Sequence, residues 1–540
     1  MKRTRLGRNI ARLLAIARYL NAHPDVSLDE LEERLAAQRK SRPKDLVNSR
    51  REFLKTSALL TAGCVGASPL LNSCALLAKK SLALSGEKVI ILGAGMAGLS
   101  AAFHLTKAGI PCSIYESAGR TGGRIFTQYN FNSDSQTCEL GGELVDTNNA
   151  DLIGLAAEFH IPIRAFKDED YGLEQNLYFI KNKYYTDRDL IPAFQKFAKH
   201  LDLAKKDGPE KIDRLSLEEY LSQIKDVDAW IIEIIRIAYL GESGVEASDQ
   251  SALMMVGTID SDFSQGTRFF GESDEALRID GGNSTLTKAI EKYLLSQGVE
   301  IHFGTPLVAI QALSQKLELH FLKDNARLQV AARRTICTIP FSILRNVEGI
   351  SSLALNPLKS EYIKQMLYAT NSKMMMGFKK RLWRGAIESI GRGVRVPASN
   401  GMVYSDLFDQ NLWESSRLQK GASGILTSFV GGHSGEKMAP ELLGVYLESV
   451  EQIFPGTFKI FDSNSSAFNW SKYVHTKGSY AAFRPGQMTK FQDIGAQPEL
   501  SGQLLFAGEH VTKEFGGFMN GAALSGRKAA EHIISGTGRN

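Results

Sequence analysis

The sequence predicts an α/β fold built around a nucleotide-binding strand–turn–helix unit, and three observations lead there. Lys88-Val-Ile-Ile-Leu92 is a short, apolar, β-branched run suited to a buried parallel strand. It passes directly into Gly93-Ala94-Gly95-Met96-Ala97-Gly98 and then into LSAAFHLTKAG, which reads as a helix. A second strand, CSIYE, ends at Glu116, eighteen residues after Gly98. The first glycine permits a tight turn, the second lets backbone approach a pyrophosphate, and the third lets helix pack closely on strand. Free N–H groups and the positive dipole end at the helix N-terminus then face the phosphates. A carboxylate closing the second strand accepts hydrogen bonds from ribose hydroxyls. This order of elements describes a Rossmann-like dinucleotide site. By itself it does not separate FAD from NAD.

Composition sets the outer bounds. The chain has 540 residues, 43% hydrophobic and 23% charged, enough for at least two packed domains. Its net charge of +5 is unevenly spread. Residues 1–80 hold 16 Lys/Arg against 7 Asp/Glu, which leaves 48 against 52 in the remainder. A mildly acidic body argues against nucleic acid as a partner. Five cysteines are too few for a disulfide scaffold. Cys112, Cys138 and Cys337 lie in apolar, strand-like runs and read as small buried hydrophobes. None of the ten histidines has metal-motif spacing, so no metal is expected.

Ser49-Arg50-Arg51-Glu52-Phe53-Leu54-Lys55 resembles the twin-arginine export motif at every position, and an apolar stretch free of acidic residues follows to about Leu77. A membrane-anchor helix is the competing reading. Gly63, Gly66, Pro69 and Asn72 interrupt any such span. Residues 49–84 are therefore expected to be a signal for export of the folded protein to the periplasm. Leu71-Asn72-Ser73-Cys74 is a loose match to a lipoprotein cleavage box, which leaves a lipid at Cys74 as an alternative. Residues 1–48 read either as an extension of one or two short amphipathic helices, with Ser27 as a cap, or as the product of a start assigned too early. The true start would then fall at Leu46 or Val47.

Gly119-Arg120-Thr121-Gly122-Gly123-Arg124 follows the acidic strand, and Glu139-Leu140-Gly141-Gly142-Glu143-Leu144 comes shortly after. Here the chain resembles the flavin amine oxidase superfamily, whose members carry an arginine over the FAD pyrophosphate and a glycine stretch along the flavin ring. Four further blocks are similar to that family and occur in its order. They are Arg278–Gly282 before a helix, Pro306-Leu307-Val308, Thr335–Pro340, and the run from Lys373 to Trp383-Arg384. Near the C-terminus, Leu505–Glu509 and Gly517-Phe518-Met519-Asn520-Gly521-Ala522 precede a last helix. The resemblance implies two interleaved domains: an FAD-binding domain from residues 85–150, 270–345 and 485–540, and a mixed-sheet-plus-helices substrate domain from 151–269 and 346–484. It also implies FAD contacts at Gly93, Gly95, Met96, Ala97, Gly98, Glu116 and Arg124, and along Gly141, Gly142, Glu143 and Leu144. Leu307, Glu509, Phe518, Met519 and Asn520 complete the set.

Three residues carry chemistry in that resemblance. Lys373 matches the lysine that holds a water against flavin N5, the alternative being an ordinary solvated lysine. Tyr480 and Phe518 match the aromatic pair flanking the substrate amine, the alternative being two core aromatics. Ser479 stands where covalent members carry a cysteine, so FAD is expected to be bound non-covalently. Leu144 stands where L-amino acid oxidases carry an arginine for the substrate carboxylate, although Arg384 or Arg484 could serve from elsewhere. The expected activity is oxidative deamination of a primary or secondary amine, with O2 reduced to H2O2. Rivals are a polyamine, cyclic amine or L-amino acid oxidase, a C–C desaturase, a dehydrogenase using a periplasmic acceptor, and a non-catalytic flavin-binding protein.

Overall fold

A computed structural model describes residues 16–17, 19–31, 88–167, 169–258, 274–389 and 394–536. The twin-arginine segment, with Arg50, Arg51 and Cys74, lies outside the described residues. So does most of the expected N-terminal extension. The part that is described packs on the body: Ile16, Ala17 and Leu31 are buried in the larger hydrophobic core, and Asn21 Nδ2 donates to Gln195 O at 3.0 Å. Ser27 caps a short helical turn, its hydroxyl accepting the Glu30 N–H at 3.1 Å.

The α/β class is observed. Five parallel strands form one sheet in the order Leu504–Phe506, Thr335–Cys337, Val89–Leu92, Cys112–Tyr115, Glu300–His302. Every residue of Val89–Leu92 and Cys112–Tyr115 is buried, as expected of strands covered on both faces. The helices Met96–Lys107 and Met519–Gly536 pack against each other over this sheet. Their approach depends on Gly526, where a Cβ would overlap Ala97 O. Chain segments distant in sequence thus meet at one end of the sheet.

A second, seven-stranded sheet has the order Phe461–Asn469, Ser372–Phe378, Gly424–Val430, Asn411–Glu414, Val403–Ser405, Leu177–Ile180, Lys183–Tyr185. Its pairs are antiparallel except Val403–Ser405 with Leu177–Ile180. The helices Asp187–Asp207 and Ala229–Ser243 contribute to the larger core. Cys112, Cys138 and Cys337 are free and buried, and burial raises each thiol pKa, to about 11 for Cys112 and about 12 for Cys337. Among the described residues no helix is long and apolar enough to cross a membrane.

Candidate functional site

Val89–Leu92 delivers Gly93 into the turn at φ 105°, a conformation that favours glycine. Thr338 Oγ1 occupies the space a side chain there would need, and it donates to Leu92 O at 2.8 Å. A Cβ on Gly98 would overlap the Gly93 carbonyl oxygen, so the helix closes on the turn only with glycine at that position. Gly95 differs, because the nearest atom to a Cβ there is Gly123 Cα at 4.0 Å. Gly95 caps the helix without any side-chain hydrogen bond, and the first turn carries no acidic residue. Unsatisfied N–H groups and the dipole end are therefore free to take an anion.

Glu116 is buried and accepts the Ala94 N–H at 2.6 Å and the Ala118 N–H at 2.7 Å. A carboxylate offers about four acceptor positions, so capacity remains for hydroxyl donors. Arg124 reaches across from the next loop, donating to Glu509 Oε1 at 2.7 Å and to Ser479 O at 2.5 Å. These groups line a cavity with an empty volume of about 2070 Å³, part of it open to solvent.

The same cavity continues over the seven-stranded sheet. Lys373 is only 3% exposed, and its ammonium donates to Glu143 Oε2 at 2.8 Å, Gly141 O at 2.9 Å and Glu139 O at 3.0 Å. An ammonium has three donors, so all three are engaged by the loop that carries Gly141 and Gly142. Trp470 Nε1 donates to Leu140 O at 2.8 Å, and Asn283 Nδ2 donates to Gly142 O at 2.8 Å, which fixes the same loop from two other sides. Burial would raise the Glu143 pKa, but the Lys373 ammonium and the Ser415 hydroxyl outweigh it and hold the carboxyl below its usual range. Glu139, fully buried, is pushed up to about 7 by desolvation, against a hydrogen bond from the Asn283 N–H. Tyr480 faces the cavity with its hydroxyl donating to Gly241 O at 2.9 Å, at the end of helix Ala229–Ser243.

Of the residues expected from sequence, Lys373, Tyr480 and Phe518 line this one cavity. With them are Gly93, Gly95, Met96, Ala97, Glu116 and Arg124 from the first segment, and Gly141, Gly142, Glu143 and Leu144 from the second. Leu307, Glu509 and Met519 line it as well. Two do not. Gly98 lies behind the turn, where it supports the cradle through packing. Asn520 is fully buried away from the cavity, its Oδ1 accepting the Leu152 N–H at 3.0 Å and so tying the last helix to Ala150–Glu158. A place in the first turn of a helix did not reveal which side that amide faces. Neither alternative carboxylate anchor reaches the cavity: Arg384 pairs with Glu414 at 2.7 Å, and Arg484 pairs at the surface with Asp249 at 3.3 Å.

Sequence reasoning missed Asn371, Met402, Tyr404, Asn411, Trp413 and Phe429, which also line the cavity. Alternation along Asn411-Leu412-Trp413 signals a strand with one face apart from the other, but not what that face meets.

A glycine cradle with an open anion seat, joined to a second chamber over an antiparallel sheet, defines a dinucleotide-dependent oxidoreductase that brings a small substrate to its cofactor. The sequence profile described as "Flavin containing amine oxidoreductase" matches residues 96–534, and the chain belongs to that family. Its cofactor is FAD, and the cradle fits it: a helix N-terminus with no acidic residue in its first turn, an open side at Gly95, a buried carboxylate and a part-buried guanidinium. Among curated relatives, a lysine-specific histone demethylase 1 homolog 2 of Oryza sativa subsp. japonica is 24% identical over 83% of this chain. The chain spans 57% of that relative's length. A pseudooxynicotine dehydrogenase of a Pseudomonas species is 23% identical over 83% of this chain and 86% of its own. Among solved structures, cyclohexylamine oxidase from Brevibacterium oxydans IH-35A superposes with a TM-score of 0.69 at 17% identity, over 83% of this chain and 99% of that one.

Proposed function

We propose that the protein oxidises a primary or secondary amine lacking a carboxylate, with O2 as the electron acceptor. The carrying observation is the single cavity in which the nucleotide cradle meets Lys373, Tyr480 and Phe518. Bound FAD supplies the two-electron acceptor for the carbon next to the amine nitrogen. The amine loses two electrons and two protons to become an imine, O2 takes up two of each to become H2O2, and water hydrolyses the imine to an aldehyde and ammonia, or to an aldehyde and a primary amine where the substrate is secondary. Tyr480 and Phe518 guide the neutral amine and exclude water. The hydrogen bond from Tyr480 to Gly241 O fixes its ring plane for that task. Lys373 holds the Glu139–Glu143 loop in place, and its ammonium would supply positive charge to the site once FAD is bound.

Leu144 offers a substrate carboxylate no partner, and among the described residues Arg384 and Arg484 lie elsewhere. Tyramine and phenethylamine should therefore exceed L-tyrosine and L-phenylalanine in kcat/KM by roughly 100-fold, as a retained desolvation penalty of ~3 kcal/mol requires. Paired steady-state assays decide it, and a preference for the amino acids would replace this reading with an L-amino acid oxidase. A second reading, electron transfer to a carrier other than O2, draws on the relative named a dehydrogenase. Anaerobic bleaching by an amine followed by air separates the two, since quick recovery of colour means oxidase.

FAD is proposed to be non-covalent. Ser479 has no thiol to form a thioether, and its hydroxyl donates to Asn371 Oδ1 at 3.0 Å. Acid precipitation should leave the yellow colour in the supernatant. Export to the periplasm through Arg50 and Arg51 belongs to the same proposal, and replacing both by lysine should strand active, flavin-loaded protein in the cytoplasm.

A further inference from the structure

Glu116, at the end of the second parallel strand, is placed to receive the adenosine ribose of FAD, but most of its capacity is already used. Among the described residues three donors reach its carboxylate: the Ala94 N–H at 2.6 Å, the Ala118 N–H at 2.7 Å and Ser117 Oγ at 3.3 Å. A carboxylate has about four acceptor positions, so about one is left. The ribose presents two neighbouring hydroxyls, and each is a donor. The second of them calls for another acceptor.

A candidate comes from a distant part of the chain. His475 lines the same cavity as Glu116, Ser117 and Arg120, on the loop between Trp470 and Ser479. Its Nδ1 lies 2.9 Å from Ser117 Oγ. The Ser117 proton is directed to Glu116 Oε1, so the hydroxyl oxygen accepts and His475 Nδ1 carries the hydrogen. That sets the tautomer and leaves Nε2 as the acceptor nitrogen, with no hydrogen-bond partner among the described residues. The ring is half-buried, and burial holds its pKa below the ordinary histidine value, with the Glu116 carboxylate pulling upward and the Arg120 guanidinium downward. It is therefore neutral near pH 7, as an acceptor must be. Tyr473 packs edge-on against it with ring centroids 5.1 Å apart, and the Gly478 N–H donates to Trp470 O at 2.9 Å, which closes the loop.

We propose that His475 is a cofactor-binding residue whose Nε2 accepts one ribose hydroxyl of FAD while Glu116 accepts the other. Only two hydrogen bonds, of 2.9 and 3.3 Å, separate the imidazole from the Glu116 carboxylate, a span that one sugar can bridge. The two acceptors belong to segments far apart in sequence. Binding the ribose thus fastens the loop that leads to Ser479 and Tyr480 onto the nucleotide cradle.

The test follows FAD itself, so it needs neither turnover nor knowledge of the amine. Loss of FAD from diluted holoenzyme is read as a rise in flavin fluorescence. His475→Phe keeps a flat ring but removes the acceptor, and it should release FAD about 10-fold faster, as expected for one hydrogen bond. His475→Gln returns an acceptor oxygen and should recover most of that loss. A ring that only packs would give the opposite order, with phenylalanine the better replacement. The hydroxyls are then removed one at a time. Holoenzyme is equilibrated with equal amounts of FAD and an analogue containing 2′-deoxyadenosine or 3′-deoxyadenosine, and the bound dinucleotides are counted by mass spectrometry after denaturation. The parent should disfavour both analogues by about 10-fold, whereas His475→Phe should disfavour only one of them. Release of FAD from His475→Phe at the parent's rate, or a variant that still disfavours both analogues, overturns the assignment.

Discussion

The nucleotide cradle and the amine-facing floor share one cavity but are built by different means. The cradle is made of backbone: the Gly93 turn, the amides at the start of Met96–Lys107, and the Glu139–Glu143 loop gripped by Lys373. Its requirements are local and concern mainly the absence of side chains. The floor is made of side chains brought together by strand register, from Ser372–Phe378, Gly424–Val430, Asn411–Glu414 and Val403–Ser405. Its requirements concern side-chain identity at positions far apart in sequence. One half is therefore intolerant of added bulk, at Gly98 even of a single carbon, whereas the other should accept substitution and answer with altered selectivity.

The largest effect should come from filling the cradle. Gly98→Val would drive a side chain into the Gly93 carbonyl and destabilise the protein by more than about 4 kcal/mol, so little soluble protein is expected. Gly95→Val is the sharper partner. Space exists there for a Cβ, so the fold should survive while the approach of a pyrophosphate is blocked. Soluble Gly95→Val protein with a circular dichroism spectrum like the parent's, but without absorbance near 450 nm, is the expected result. Normal flavin content in Gly95→Val would break the contrast between the two halves.

Next in size is the ion pair that joins them. Lys373 and Glu143 are both largely buried, with side chains 4% and 11% exposed. Lys373→Met leaves the Glu143 carboxylate without its ammonium, which costs on the order of 3–5 kcal/mol. Adding Glu143→Gln to Lys373→Met should recover much of that loss, and chemical denaturation of the two singles and the double gives the coupling. Kinetically, Lys373→Met should slow reoxidation of the reduced enzyme by O2 more than it slows reduction by amine, since a cation beside the site stabilises charge developing on oxygen. Stopped-flow measurement of the two half-reactions separates them. Equal slowing would assign Lys373 to holding the loop alone.

The difference in construction also explains what could be read from the sequence. Gly93, Gly95 and Glu116 were legible because a turn, a close approach and a strand end each constrain residues within a short window. Lys373, Tyr480 and Phe518 were reached only through resemblance to a family, and their neighbours Asn411 and Trp413 were not reached at all. No local rule links residue 411 to residue 373, since their proximity depends on two strand pairings through Phe429. Asn520 shows the converse failure. Its motif was recognised, yet the side chain turns toward Leu152, because a helical position's facing depends on what packs beside it.

The smallest expected effect is a pH dependence that arises where the two halves meet. Glu139 closes the short strand before the glycine loop, its carboxylate accepting from Thr127 Oγ1 at 2.9 Å and from the Asn283 N–H at 2.8 Å, with no cation hydrogen-bonded to that carboxylate among the described residues. Burial raises its pKa in the folded protein from 4.5 to about 7. A carboxyl with a raised folded pKa binds its proton more tightly in the native state than in the unfolded chain. Its contribution to stability is therefore complete below about pH 4.5 and is lost as pH rises through about 7. The size of this contribution is at most about 3 kcal/mol. Glu139→Gln keeps a neutral group of the same shape, so it should abolish that contribution to the pH slope while leaving other titrating groups untouched. Differential scanning calorimetry of parent and variant, both saturated with FAD, should show the variant gaining on the parent between pH 5 and pH 8. A constant difference in Tm across that range would mean that Glu139 is ionised throughout and that a charge partner offsets its burial. In that case the loop would depend on charge on both of its sides, and the contrast between a backbone-built cradle and a side-chain-built floor would weaken at the seam between them.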